Sequence, residues 1–215
     1  MDQMKAYDVP AEQIRLETRV INSRFIASLA PSFSVEEARS FIHQIREEFK
    51  DASHHVSAFL IGHGESEIAH CTDAGEPSGT AGKPMLAVLR GSGLGDVVVV
   101  VTRYFGGTKL GTGGLVRAYS EAIRGVVEKV PRARKTWMHT LMLAYPYAYV
   151  ERIRRLATAH AVDIVNETFE TDVTLTGRIL PEDLMRFQAE VLELTNGSVQ
   201  VAVVETGNIL KRISP

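Results

Sequence analysis

The 215-residue chain has one cysteine, Cys71, so no intrachain disulfide can form and a small disulfide-stapled fold is excluded. That usage fits a reducing compartment. Eight prolines and seventeen glycines are too few for a collagen-like repeat. Long hydrophobic runs are absent: the densest is Val97–Val101, far short of the ~18 residues that a membrane span needs. Residues 1–10 hold no apolar signal core. The expectation is a cytoplasmic protein with no membrane partner. Net charge is only −2, so the chain as a whole has no strong sign with which to attract a polyanion. What is present is the ordinary globular mix, 45% hydrophobic and 23% charged, which excludes a mainly disordered chain. The length permits one large domain or two small ones.

The charge is unevenly placed. Residues 75–135 carry ten Lys and Arg against four Asp and Glu, net +6, whereas residues 1–74 are net −5 and residues 136–215 net −3. A basic segment inside an acidic chain is the pattern of a binding footprint, or of charges that interleave once the chain folds.

Periodicity predicts a mixed α and β chain. Thr18–Ser28 reads as a strand. Ser34-Val35-Glu36-Glu37 is a capping box, followed by Ala38, Phe41, Ile42, Ile45 and Phe49 on one helical stripe. Val56–Ile61 and Glu67–His70 read as short strands. Pro84 is expected at the first position of a short helix through Arg90, stopped by Gly91. The valine run predicts a strand buried on both faces, and Leu115–Lys129 a helix with Arg117, Glu121, Arg124 and Glu128 at pairing distance on its outer side. Pro131–Lys135 reads as a linker, dividing domains at 1–132 and 133–215. Beyond it come strands near Met138–Tyr145, Val162–Thr168, Asp172–Ile179 and Ser198–Val204, with helices starting near Pro146 and Pro181. The order βαββαβ is the ferredoxin-like unit.

Two glycine-rich loops run into helix starts, where free amides and the helix dipole suit phosphate or carboxylate. The first includes Gly79, Thr80 and Gly82, with Lys83 at its end. The second runs from Gly106 and Gly107 to Gly114, flanked by Lys109 and Arg117. Arg103 follows the valine strand, and Tyr104 and Phe105 offer faces for base stacking. Neither loop is a Walker or dinucleotide motif. Asp73, Glu76 and Ser78 are candidates for acid–base work, or else Asp73 forms a turn and Ser78 or Thr80 caps a helix. His54, His55, His63, His70 and Cys71 cluster in sequence without the spacing of a zinc site, so no metal or cofactor is expected. Arg152, Arg154 and Arg155 read as a solvated face or a phosphate contact.

Asp73-Ala74-Gly75-Glu76-Pro77-Ser78-Gly79-Thr80-Ala81-Gly82-Lys83-Pro84, then Val101-Thr102-Arg103-Tyr104-Phe105-Gly106-Gly107 and Gly113-Gly114-Leu115-Val116-Arg117-Ala118-Tyr119, resemble the IMPACT family, on its bacterial branch. Asn22-Ser23-Arg24-Phe25-Ile26-Ala27 and Ala52-Ser53-His54-His55 resemble its earlier segments. The resemblance spans about residues 15–130, and more loosely the C-terminal part. It implies an α+β protein. The N-terminal domain would be like the second domain of a small-subunit ribosomal protein, with a left-handed βαβ crossover, and like domain four of elongation factor G. The C-terminal ferredoxin-like domain would be like that factor's domain five. Eukaryotic relatives regulate translation, chiefly through a separate N-terminal module that is not expected here.

The expectation for function is a non-enzymatic binding protein linked to translation. It would contact RNA, the ribosome or a translation factor through Lys83, Arg103, Lys109 and Arg117, aided by Tyr104 or Phe105 and by amides at Gly79–Gly82 and Gly106–Gly107. The alternatives are a hydrolase acting on a small phosphorylated or peptide substrate through the Asp73/Glu76 loop, and a protein-interaction module.

Overall fold

The computed structural model describes residues 6–213. The chain forms two compact units. One is Tyr7–Arg134 with the described residues from Lys211 on, and the other is Lys135–Leu210 with Ala6.

The first unit opens with β1 (Tyr7–Pro10), then β2 (Ile14–Val20) and β3 (Ser23–Pro31). The single strand expected over Thr18–Ser28 is therefore a hairpin, paired from Ile14↔Leu29 to Val20↔Ser23. Its turn holds Ile21 at φ 55°, a conformation that a β-branched residue rarely adopts, so no turn signal was visible. Helix α1 (Val35–Glu48) is capped by Ser34 Oγ, which accepts the Glu37 amide at 3.1 Å. The Glu37 carboxylate accepts the Phe33 amide at 2.7 Å, one residue further back than a capping box predicts.

Next come β4 (His54–Ile61), β5 (Ile68–Thr72), α2 (Gly82–Gly91), β6 (Val97–Tyr104) and α3 (Gly111–Lys129). The sheet order is β2-β3-β6-β4-β5, with antiparallel neighbours throughout. Strand side chains alternate between faces. Val98, Val100 and Phe59 pack with the α1 stripe, while Val97, Val99, Val101, Phe25 and Leu29 pack with residues of α2 and α3. The unbroken valine run thus feeds two cores.

Three expectations here are corrected. Helix α2 begins at Gly82, so Pro84 is its third residue and not its first. An amide there is still among the four that lack an intrahelical acceptor, which makes proline harmless. Gly91 is the last helical residue, and Ser92 caps. Helix α3 takes in Gly111–Gly114, which read as loop because glycine is a poor helix former.

The supposed linker Pro131–Lys135 lies largely within β7 (Arg132–Tyr145), a continuous strand that passes from one unit to the other. A short 3₁₀ turn at Tyr147–Tyr149 leads to α4 (Val150–Ala159). Then follow β8 (Asp163–Phe169), β9 (Val173–Ile179), α5 (Pro181–Leu194) and β10 (Ala202–Arg212). The last strand starts four residues later than Ser198 and runs well past Val204. In the order β10-β7-β9-β8 the second unit has the ferredoxin-like arrangement. Leu141, Leu143 and Tyr145 alternate inward to meet Ile153 and Phe187 of the helices. Among the described residues no helix is long and apolar enough to cross a membrane.

Candidate functional site

The first glycine-rich loop closes around its own anion. The Asp73 carboxylate accepts the amides of Gly79 at 2.8 Å, Gly82 at 2.8 Å and Ala81 at 3.1 Å. Burial pushes the Asp73 carboxyl up, but these three hydrogen bonds outweigh it and hold the group below the usual carboxylate range. Asp73 thus fills the anion site at the α2 N-terminus from within the chain. The expectation that Gly79–Gly82 amides face an outside phosphate is corrected: Gly79, Ala81 and Gly82 donate to Asp73, and the Thr80 amide donates to Pro77 O at 3.0 Å. The helix start is served by Asp73 and not by Ser78 or Thr80. Thr80 is buried, its hydroxyl donating to Pro77 O at 2.6 Å, and Ser78 is exposed. Glycine is required at 82, because a Cβ there would lie 2.8 Å from the Thr72 carbonyl oxygen.

Beneath this loop lies a buried polar cluster. Glu76 Oε1 accepts from Arg103 Nη1 at 2.7 Å and from the Tyr119 hydroxyl at 2.7 Å. His54 Nε2 stands 3.9 Å from the same oxygen, while His54 Nδ1 meets Ala74 O at 3.0 Å. Arg103 Nη2 donates to Ser23 Oγ at 3.2 Å, and that hydroxyl also takes the Gly106 amide at 3.3 Å. The guanidinium carbon is 5.4 Å from the Phe25 ring centre and 5.6 Å from that of Phe105. Glu76 is 8% exposed, Arg103 4% and Tyr119 fully buried. Burial, then the bond to Glu76, push the Tyr119 hydroxyl far up, so it remains a donor at neutral pH.

This overturns the expectation that Arg103 neutralises phosphate at the surface. Its charge is spent on Glu76. The acid–base pairing of Asp73 with Glu76 is corrected likewise, since each carboxylate is held by its own donors. Sequence reasoning missed Tyr119, Ser23 and His54 as members. The one available signal was Tyr119 on an apolar helical stripe, because a buried tyrosine hydroxyl needs a partner.

The second loop differs. Gly106 sits against the main chain of Asn22, so a Cβ would overlap the Asn22 carbonyl. Gly107 is exposed at φ 83°. Tyr104 donates to Asp51 at 2.8 Å and lies under Arg24, so it is already partnered, whereas Phe105 is 47% exposed. The α3 N-terminus has no side-chain cap and no acidic residue in its first turn, and Gly111, Thr112 and Gly113 are exposed. Lys83, Lys109 and Arg117 are exposed and make no ion pair among the described residues. Pro84 and Val116, their chain neighbours, line one groove of about 550 Å³ between α2 and α3, with Arg124 on its wall. The pairing expected along the outer face of α3 is likewise not made among the described residues.

The histidines disperse. His55 meets Phe49 O, His63 stacks on Tyr7 and His70 lies by Phe59. Among the described residues no three metal-ligating side chains converge. In the second unit Arg154 pairs with Glu167 at 2.8 Å, Arg155 turns back on Glu151 O, and Arg152 lies over Tyr149.

The fold and site define a two-unit α+β protein in which a buried acid–arginine pair braces two glycine-rich loops beneath a basic helix-start surface. Residues 21–127 match the Impact N-terminal domain, and residues 143–198 match a domain of unknown function, DUF1949. The chain is 36% identical over 203 residues to the IMPACT family member YigZ of Escherichia coli (strain K12), covering 94% of this chain and all of that protein. It is 32% identical over 198 residues to YvyE of Bacillus subtilis (strain 168), covering 92% and 91%. A solved structure titled only as a hypothetical protein superposes with a TM-score of 0.64 at 35% identity, covering 94% of this chain and 98% of that one. The chain belongs to the IMPACT family.

Proposed function

We propose that this protein is a non-enzymatic binding protein acting in translation, and that it contacts RNA, on or off the ribosome, through the surface at the starts of α2 and α3. The observation that supports this most is the set of Lys83, Lys109 and Arg117, exposed and in no ion pair among the described residues, beside an uncapped helix start. Cations and free amides in that setting favour phosphate without reading sequence. Phe105 supplies an exposed ring for stacking. The translational setting rests on the family, whose eukaryotic members regulate translation. The hydrolase alternative loses its motivation, because amides hold the Asp73 carboxyl below the usual range and Glu76 Oε1 is engaged by Arg103 and Tyr119.

The test is co-sedimentation with ribosomes and with free RNA at low and high salt, beside a Lys83→Glu/Lys109→Glu/Arg117→Glu variant. Arg103 is left intact so that the fold is kept. Salt-sensitive association lost in the variant supports the proposal. No association at low salt, or association unchanged in the variant, refutes it.

A further inference from the structure

The five-stranded sheet of the first unit ends in two unlike edges. Edge strand β2 carries Arg15, Glu17 and Arg19, with Arg15 held by Glu48 and Glu17 by Arg24. Charges of this kind blunt an edge against further pairing. Edge strand β5, Ile68-Ala69-His70-Cys71-Thr72, has no Asp, Glu, Lys, Arg or Pro. Its outward main chain makes no hydrogen bond to another element among the described residues.

Beside β5 lies a groove of about 550 Å³. It exists because the apolar stripe of α1 packs on Ala30, Phe59, Val98 and Val100 and leaves the same face of β5 uncovered. Phe59, His70 and Thr72 form the floor. Arg39, His43 and Arg46, at i, i+4 and i+7 of α1, form the wall. No carboxylate lines the groove, and both arginines are exposed and unpaired among the described residues.

We propose that this groove is a docking site for an extended acidic peptide, which adds to the sheet as a sixth strand along β5. Main-chain pairing with β5 supplies the affinity, and alternate side chains of the added strand point toward the α1 wall. Arg39 and Arg46 stand about 10 Å apart along the helix axis. Carboxylates two to four residues apart on a strand, whose same-face step is about 6.8 Å, span that distance. A basic peptide meets like charge there and is rejected. The groove is on the α1 face of the sheet and the α2–α3 surface is on the other, so this inference stands apart from the RNA proposal.

The experiment uses the full chain and a fluorescein-labelled octapeptide of alternating Glu and Val, with its Lys–Val counterpart as control. Anisotropy measures affinity, and amide hydrogen exchange of Ile68–Thr72 reports strand pairing. The expected result is saturable binding of the acidic peptide only, slowed exchange in β5, and at least tenfold weaker binding to Arg39→Gln/Arg46→Gln. Both substitutions are at exposed helical positions, and circular dichroism confirms that the variant is folded. Binding must be unchanged in the Lys83/Lys109/Arg117 variant. The proposal is overturned by absence of saturable binding, by equal binding of the Lys–Val peptide, by unaltered β5 exchange, or by unchanged affinity in the arginine variant. It is also overturned if labelled oligouridylate binds with the same Arg39/Arg46 dependence and the acidic peptide does not displace it.

Discussion

Arg103 Nη1 lies 2.7 Å from Glu76 Oε1, across 27 positions of sequence and inside the first unit. Glu76 belongs to the first glycine-rich loop, and Arg103 stands at the end of β6 just before the second. The pair ties the two loops together, and Tyr119 anchors it to α3. Removing one member leaves an uncompensated buried charge. Arg103→Met or Glu76→Leu alone should destabilise the protein by about 3–5 kcal/mol, and the double variant by clearly less than the sum. Urea denaturation of the four proteins in the cycle checks this, and additive losses would contradict it.

Asp73 should make acid stability measurable at one site. Its folded carboxyl titrates below the ordinary 3.8, so its contribution is fully present above that value and is lost as pH falls through the folded pKa. Asp73→Asn should cost about 2–4 kcal/mol at neutral pH, because three amides lose a charged acceptor. The gap between wild type and variant should narrow only below pH 3.8. Urea midpoints across the acid range give the curve, and a gap constant down to the lowest pH would exclude this role.

Two glycines of the second loop should respond differently. Gly106→Ala drives a Cβ into the Asn22 main chain and should destabilise by more than about 2 kcal/mol, since backbone has little room to shift. Gly113→Ala meets nothing within 4 Å, is not in the left-handed region, and lies in the first turn of α3. It should be neutral or stabilise by about 0.5–1 kcal/mol. Thermal melts of both variants distinguish a packing glycine from an open one.

The RNA proposal has its own quantitative signature. Each phosphate contact on single-stranded RNA contributes about −0.7 to the slope of log affinity against log salt. Removing Lys83, Lys109 and Arg117 together should flatten that slope by about 2, with little dependence on RNA sequence. Titrations at four salt concentrations measure it. An unchanged slope would place the phosphate contacts elsewhere.

Local patterns carried much of the fold. The Ser34 cap, the α1 stripe, the two-faced valine strand and the βαββαβ order of the second unit all follow from periods and caps that act within a few residues. The β2–β3 turn did not, because Ile21 takes a left-handed conformation that only strand pairing holds in place. The continuity of β7 was hidden by its basic first residues, which look like a linker until Ala133 is seen to be buried.

For the site, local composition already shows two glycine-rich loops, each with nearby cations, leading into helices. It did not decide which loop keeps its amides free. That depended on Asp73, which accepts amides six to nine residues further on at the first helix start, while among the described residues no side chain caps the second. Nor did it separate Arg103 from Lys109 or Arg117 as cations. Sheet register decided that. β6 pairs Arg103 with Phe25 on one side and His54 on the other, which turns its guanidinium inward to Glu76 and Ser23. Partners 27 and 80 positions away meet only when three strands align, and no local sequence pattern contains that distance.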